Sequence, residues 1–127
     1  MRFLLALLAI AACDKGPIQE HRIHYEKYFF EKMWLIDVDL DKRTLVAYDD
    51  AHKLTSAALT AADAKQLADV AGCAREEAPG PRSGAMDMSE QIVLDGDLRK
   101  AITQSGPMTA ACAAKLEIRI ETLAGWR

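Results

Sequence analysis

The chain has 127 residues and a mass of 14.0 kDa; 50% of it is hydrophobic and 28% charged, with a formal net charge of −3 at pH 7. That length suits one domain, and the apolar share excludes a fully disordered chain. Mild acidity and an aromatic share of 6% offer nucleic acid neither a basic footprint nor a stacking platform, so no nucleic-acid partner is expected.

Met1-Arg2 is a basic start, and Phe3 to Ala12 (FLLALLAIAA) is an apolar run. A transmembrane helix needs roughly 20 apolar residues, so this run is too short to span and reads instead as a secretory signal peptide. Asp14 to Glu20 (DKGPIQE) is polar and contains Gly16-Pro17, the composition of a tether.

In His21 to Phe30 (HRIHYEKYFF), strand and helix spacings compete; aromatic and β-branched content favours a strand. The next segment, Trp34 to Leu40 (WLIDVDL), alternates cleanly. Trp34, Ile36, Val38 and Leu40 face one way, and Leu35, Asp37 and Asp39 the other, as in a half-buried strand. Asp41-Lys42-Arg43 is the expected turn, and Thr44 to Tyr48 (TLVAY) the returning strand.

Thr60 to Gly72 reads as a helix. Thr60 and Asp63 approximate a capping box, Ala64, Leu67, Val70 and Ala71 form an apolar stripe, and Gly72 supplies a stop. Ala74 to Glu90 (AREEAPGPRSGAMDMSE) is a loop long enough to suggest a functional role. Gln91 to Ile102 (QIVLDGDLRKAI) reads as a hairpin with a type I′ turn at Asp95-Gly96.

From Met108 to Leu123 two periods compete. Met108, Cys112, Leu116, Ile120 and Leu123 keep helical spacing, while Leu116, Ile118 and Ile120 alternate with Glu117, Arg119 and Glu121. Pro107 and the alanine-rich first half favour the helix. Together these segments predict a single small α+β domain over residues 21–127: an antiparallel sheet with two helices packed on one face.

Ile10-Ala11-Ala12-Cys13 resembles the lipobox of bacterial lipoproteins. In that family the Cys receives a diacylglycerol and the peptide is cut before it. The resemblance implies a signal peptide over 1–12, a lipidated Cys13 and a tether over 13–20. It implies a domain held in the periplasm on a bacterial membrane, and leaves open which membrane. Each buried CH₂ contributes about 0.8 kcal/mol, so two or three acyl chains anchor firmly.

Export changes how the other cysteines read. With Cys13 taken by lipid, Cys73 and Cys112 remain, and in an oxidising compartment such a pair is expected to form a disulfide. Chain entropy gives such a bridge about 4 kcal/mol.

The chemistry-bearing patterns are thin. Asp37, Asp39 and Asp41 match the start of a calcium loop, but Lys42 stands where Gly is needed and Tyr48 where a Glu is needed. His21 and His24 would share a face of a helix but oppose each other in a strand, and a metal would still need Glu26 or His52. Ser83-Gly84 and Ser105-Gly106 lack the surroundings of a nucleophile, and no glycine-rich phosphate loop is present. No catalytic residue, metal or cofactor is therefore expected.

Three readings of function follow. The first is a non-enzymatic envelope lipoprotein that binds another envelope protein through the 74–90 loop, with Arg75, Arg82, Met86 and Met88 as contact residues. A disulfide-braced loop loses less entropy on binding. The second is an inhibitor or immunity lipoprotein blocking a protease, lysozyme or toxin. The order of elements from Leu59 to Leu123 is similar in layout to small bacterial protease inhibitors of the emfourin type, without their glycine-rich opening. The third is a metal-binding or enzymatic protein using His21, His24 and His52.

Overall fold

The computed structural model describes residues 21–80, 87–95 and 101–127. The signal-peptide, Cys13 and tether readings therefore lie outside the described residues, as do Arg82 and Met86. Six strands form one antiparallel sheet: β1 (Arg22–Phe29), β2 (Lys32–Asp39), β3 (Thr44–Tyr48), β4 (Leu54–Ala58), β5 (Met88–Leu94) and β6 (Ile102–Ser105). Their spatial order is β4-β3-β2-β1-β5-β6. Helix α1 (Ala61–Glu76) follows β4, and helix α2 (Ala111–Leu123) follows β6.

Alternation decides which side of the sheet is covered. Ile23 and Tyr25, Ile36 and Val38, Leu45 and Ala47, and Ile92 and Leu94 all point to one face and are buried. They pack in one core with Leu67, Ala71 and Ala74 of α1 and Ala113, Leu116 and Ile120 of α2. Both helices thus lie on the same face, as the α+β reading expects. Each fully buried Leu or Ile contributes about 1.5–3 kcal/mol.

The ends of the helices differ from expectation. The capping box at the start of α1 is real: the Asp63 N–H donates to Thr60 Oγ1 at 3.0 Å, and the Thr60 N–H to Asp63 Oδ2 at 3.3 Å. Gly72, however, does not stop the helix, which runs on to Glu76. One internal glycine costs about 1 kcal/mol, and burial of Ala71 and Ala74 on either side of it outweighs that. Helix α2 starts at Ala111 rather than just after Pro107. The Met108 N–H is drawn instead to two buried carboxylates, Glu90 Oε1 at 2.9 Å and Glu117 Oε2 at 3.1 Å.

Three further corrections concern the connections. The expected 74–90 loop is helical through Glu76 and joins β5 from Met88. Leu54–Ala58 (LTSAA), which has no apolar alternation to announce it, is a strand because it pairs along the whole of β3. A two-residue turn at Asp95-Gly96 would set Leu94 opposite Asp97, but β5 and β6 pair with Ile92 opposite Ile102. The described pairing of β5 with β6 ends at Ile92 opposite Ile102, while β5 pairs with β1 through Leu94 opposite Ile23; Gly96 of the expected turn lies outside the described residues. Asp95 (φ 53°) ends that run: its carboxylate accepts the N–H groups of His21 and Arg22 at 2.7 and 2.9 Å.

The disulfide is present. Cys73 near the end of α1 bonds Cys112 in the first turn of α2, with Cα atoms 5.9 Å apart. Glu77 reinforces the same junction. Its two carboxylate oxygens accept the N–H groups of Cys112 (2.9 Å) and Ala113 (2.7 Å). Ala110, at the N-cap of α2, has no side-chain oxygen to offer, so Glu77 supplies the cap from across the bridge.

Candidate interaction surface

Among the described residues both helices cover one face of the sheet, and no element packs on the other. Its side chains come from the alternate positions of each strand, and strand register brings its apolar ones together. Leu54 lies opposite Tyr48, Tyr48 opposite Leu35, and Met33 opposite Tyr28. Leu35 and Met33 are two residues apart on one strand, so they share this face. The result is a continuous apolar stripe across β4, β3, β2 and β1. Four of its members remain well exposed: Leu54, Tyr48, Tyr28 and Met33.

The stripe runs into the tip of the β1–β2 hairpin. Phe29 pairs with Lys32, leaving Phe30 and Glu31 as a two-residue connection. Phe30 is 68% exposed and has a φ of 55°. A bulky residue in that region is a genuine outlier, and left-handed backbone costs roughly 1–2 kcal/mol without glycine. The conformation is pinned by the Phe30 N–H donating to the Asp87 carbonyl at 3.2 Å and by edge-on packing against the Phe29 ring at 4.5 Å. The tip thus combines strain with an aromatic ring held out in water.

Beside the stripe, charged groups on the open face neutralise one another. His24 is bridged by two carboxylates, with Nδ1 2.5 Å from Asp37 and Nε2 2.8 Å from Glu26. The Tyr28 hydroxyl donates to the other oxygen of Glu26 at 3.0 Å. Partial burial pulls the imidazole pKa down, but the hydrogen bonds and charges of Asp37 and Glu26 outweigh it and leave the ring above its ordinary value.

On the covered face lies a cluster of three buried acids, Glu90, Glu117 and Glu121. The Tyr25 hydroxyl donates to Glu90 Oε2 at 2.7 Å, and Glu90 is in turn hydrogen-bonded to Glu117. Arg127 reaches Glu117 at 3.5 Å and Glu121 at 3.4 Å, and the Lys27 ammonium lies 4.0 Å from Glu121. Lys27 also sits 5.1 Å above the Trp34 ring, a cation–π arrangement.

Burial first, and then the neighbouring Glu90, push the Glu117 carboxyl up to about 8, against the pull of the Met108 N–H and Arg127. Burial also raises Glu121, with Lys27 opposing. The Tyr25 phenol is held well above its ordinary value, first by burial and then by the charges of the three acids. Glu117 therefore carries a proton near neutrality, which lets the two carboxyl groups lie side by side. Sequence reading gave these acids no role. The signal was available in the helical reading of 108–123, where Glu117 and Glu121 directly follow Leu116 and Ile120 of the apolar stripe.

The residues singled out from sequence fall in several places. Arg75, on α1, bonds Asp95 at 3.3 Å with its side chain 9% exposed, so it braces the β5 end. Met88 opens β5 opposite Phe29, and so belongs to the aromatic tip. His21 pairs with Asp41 at 3.0 Å, His24 with Asp37 and Glu26, and His52 stands in the β3–β4 turn at a φ of 61°. The two ring nitrogens of His24 face different carboxylates, so those groups do not converge on one ion. Among the described residues, ligand atoms do converge at Cys73, Glu77 and Cys112, where both sulfurs are already joined to each other.

No protein-family model, curated protein sequence or solved structure matches this chain.

Proposed function

We propose that the chain is a membrane-anchored envelope lipoprotein whose domain binds another envelope protein without catalysing a reaction. The observation that carries this reading is the uncovered apolar stripe ending in the strained, exposed Phe30. The two-residue turn requires left-handed backbone at its first position, which glycine or asparagine would meet with less strain, so folding alone gives no reason to place an exposed phenylalanine there. Such local costs persist where a partner uses the residue. Aromatic side chains of this kind are the usual anchors of protein interfaces.

The lipid would be attached at Cys13, nine positions before β1 begins at Arg22. Strand β1 has eight residues, and eight residues of strand span about 26 Å. The tip thus lies at the far end of β1 from Arg22, where the strand begins. The short, stiff hairpin also suits insertion into a cleft, which keeps the inhibitor reading as a narrower form of the same proposal.

Site-specific photocrosslinking in intact cells tests it. A benzophenone side chain at Phe30 or Tyr48 is expected to trap one discrete heavier species, while the same group at Lys65 on exposed α1 traps none. The absence of any adduct from Phe30 and Tyr48 overturns the reading. Mass spectrometry of Cys13 checks the anchor separately.

A further inference from the structure

We infer that strand β4 is an edge at which a second copy of this chain pairs. A sheet of this order has two edges, each with a row of backbone N–H and C=O groups facing outward. The edges are built differently. Strand β6 has only four residues, runs directly into Gly106-Pro107, and has Pro79 and Gly80 beside Thr103 and Gln104. Strand β4 has five residues, Leu-Thr-Ser-Ala-Ala, and among the described residues no strand pairs with its outer side. It holds no charge, proline or glycine, so the usual devices that blunt an edge are missing.

The same five residues complement themselves. Antiparallel pairing of two copies centred on Ser56 sets Ser56 opposite Ser56, Leu54 opposite Ala58 and Thr55 opposite Ala57. No like charges meet, and Leu54 faces a small residue. In a chain that is 28% charged, an uncharged run selects an uncharged complement, and its own copy supplies one. Leu54, now 53% exposed, would be covered in part, and the two apolar stripes would join across the two-fold axis. A five-residue contact stays below the roughly 1,000 Å² of a stable interface. Pairing is therefore reversible, and confinement of copies on one membrane favours it by raising their effective concentration.

Two differently tagged full-length copies, expressed together in cells, provide the test. With Ser56→Cys in both, a short bismaleimide is expected to give a crosslinked dimer above the background of the parent chain. Ser56→Lys in both copies, at an exposed position, should abolish capture of one tag with the other. Pairing a Ser56→Lys copy with a Ser56→Glu copy should restore it. Three outcomes overturn the inference: no dimer from Ser56→Cys, undiminished capture between Ser56→Lys copies, or loss without recovery in the mixed pair. None of these depends on what Phe30 captures, so failure here leaves the envelope-partner proposal standing.

Discussion

Glu117 shows how a single side chain sets the conditions under which the domain is stable. Its carboxyl is raised from 4.5 to about 8 in the folded chain, by burial and by Glu90 beside it. A group raised in this way favours the folded state fully below its unfolded value, and that contribution disappears as pH climbs through the folded one. The melting temperature should therefore fall from about pH 4.5 to about pH 8 and level off above that. Glu117→Gln, which keeps the hydrogen-bonding shape without a titrating proton, should flatten that fall; an equally steep decline in the variant would assign it to another group. His24 has the same sign in a window that opens later, because its raised pKa favours the folded state below 6.5 and that support fades at higher pH. Neither role was legible in the sequence. A glutamate inside an alternating run looks solvated until the partner strand, the following backbone and Arg127 are placed around it.

At the scale of elements, the junction between α1 and α2 is held twice, by the Cys73–Cys112 bridge and by Glu77. Removing the bridge with Cys73→Ser and Cys112→Ser should lower unfolding free energy by about 2–4 kcal/mol. Glu77→Ala, which strips the cap from α2, should cost about 1–2 kcal/mol, read from chemical denaturation. If the double serine variant matches the parent, the bridge does not constrain the unfolded chain.

Elements whose pattern reflects one covered face were readable. TLVAY and WLIDVDL alternate because one side meets the helices, and Thr60 with Asp63 marks the start of α1. LTSAA was not readable, since an edge strand of small residues carries no such alternation. Gly72 misled because a stop signal competes with burial of the residues around it, and that burial is a tertiary fact.

For the whole molecule, the main fact is asymmetry: among the described residues, two helices lie on one face and none on the other. The α+β class followed from the element order, but the open surface did not. Tyr28, Met33, Leu35, Tyr48 and Leu54 are scattered along the sequence, and only the registers of three successive hairpins bring them together. The 74–90 segment drew attention in the sequence through its length and its methionines. Of its named residues within the described part, Arg75 turned out to be a brace, and Met88 lies beside Phe29.

The position of β1 in the sheet has a kinetic consequence. β1 to β4 form a meander of neighbours in sequence, which can assemble from local contacts alone. The other flank of β1 must wait for β5, which begins only at Met88. Until then a half-built sheet presents β1 as a temporary open border. That strand carries Arg22, His24, Glu26 and Lys27, so the border that is exposed only during maturation is the one guarded by charge.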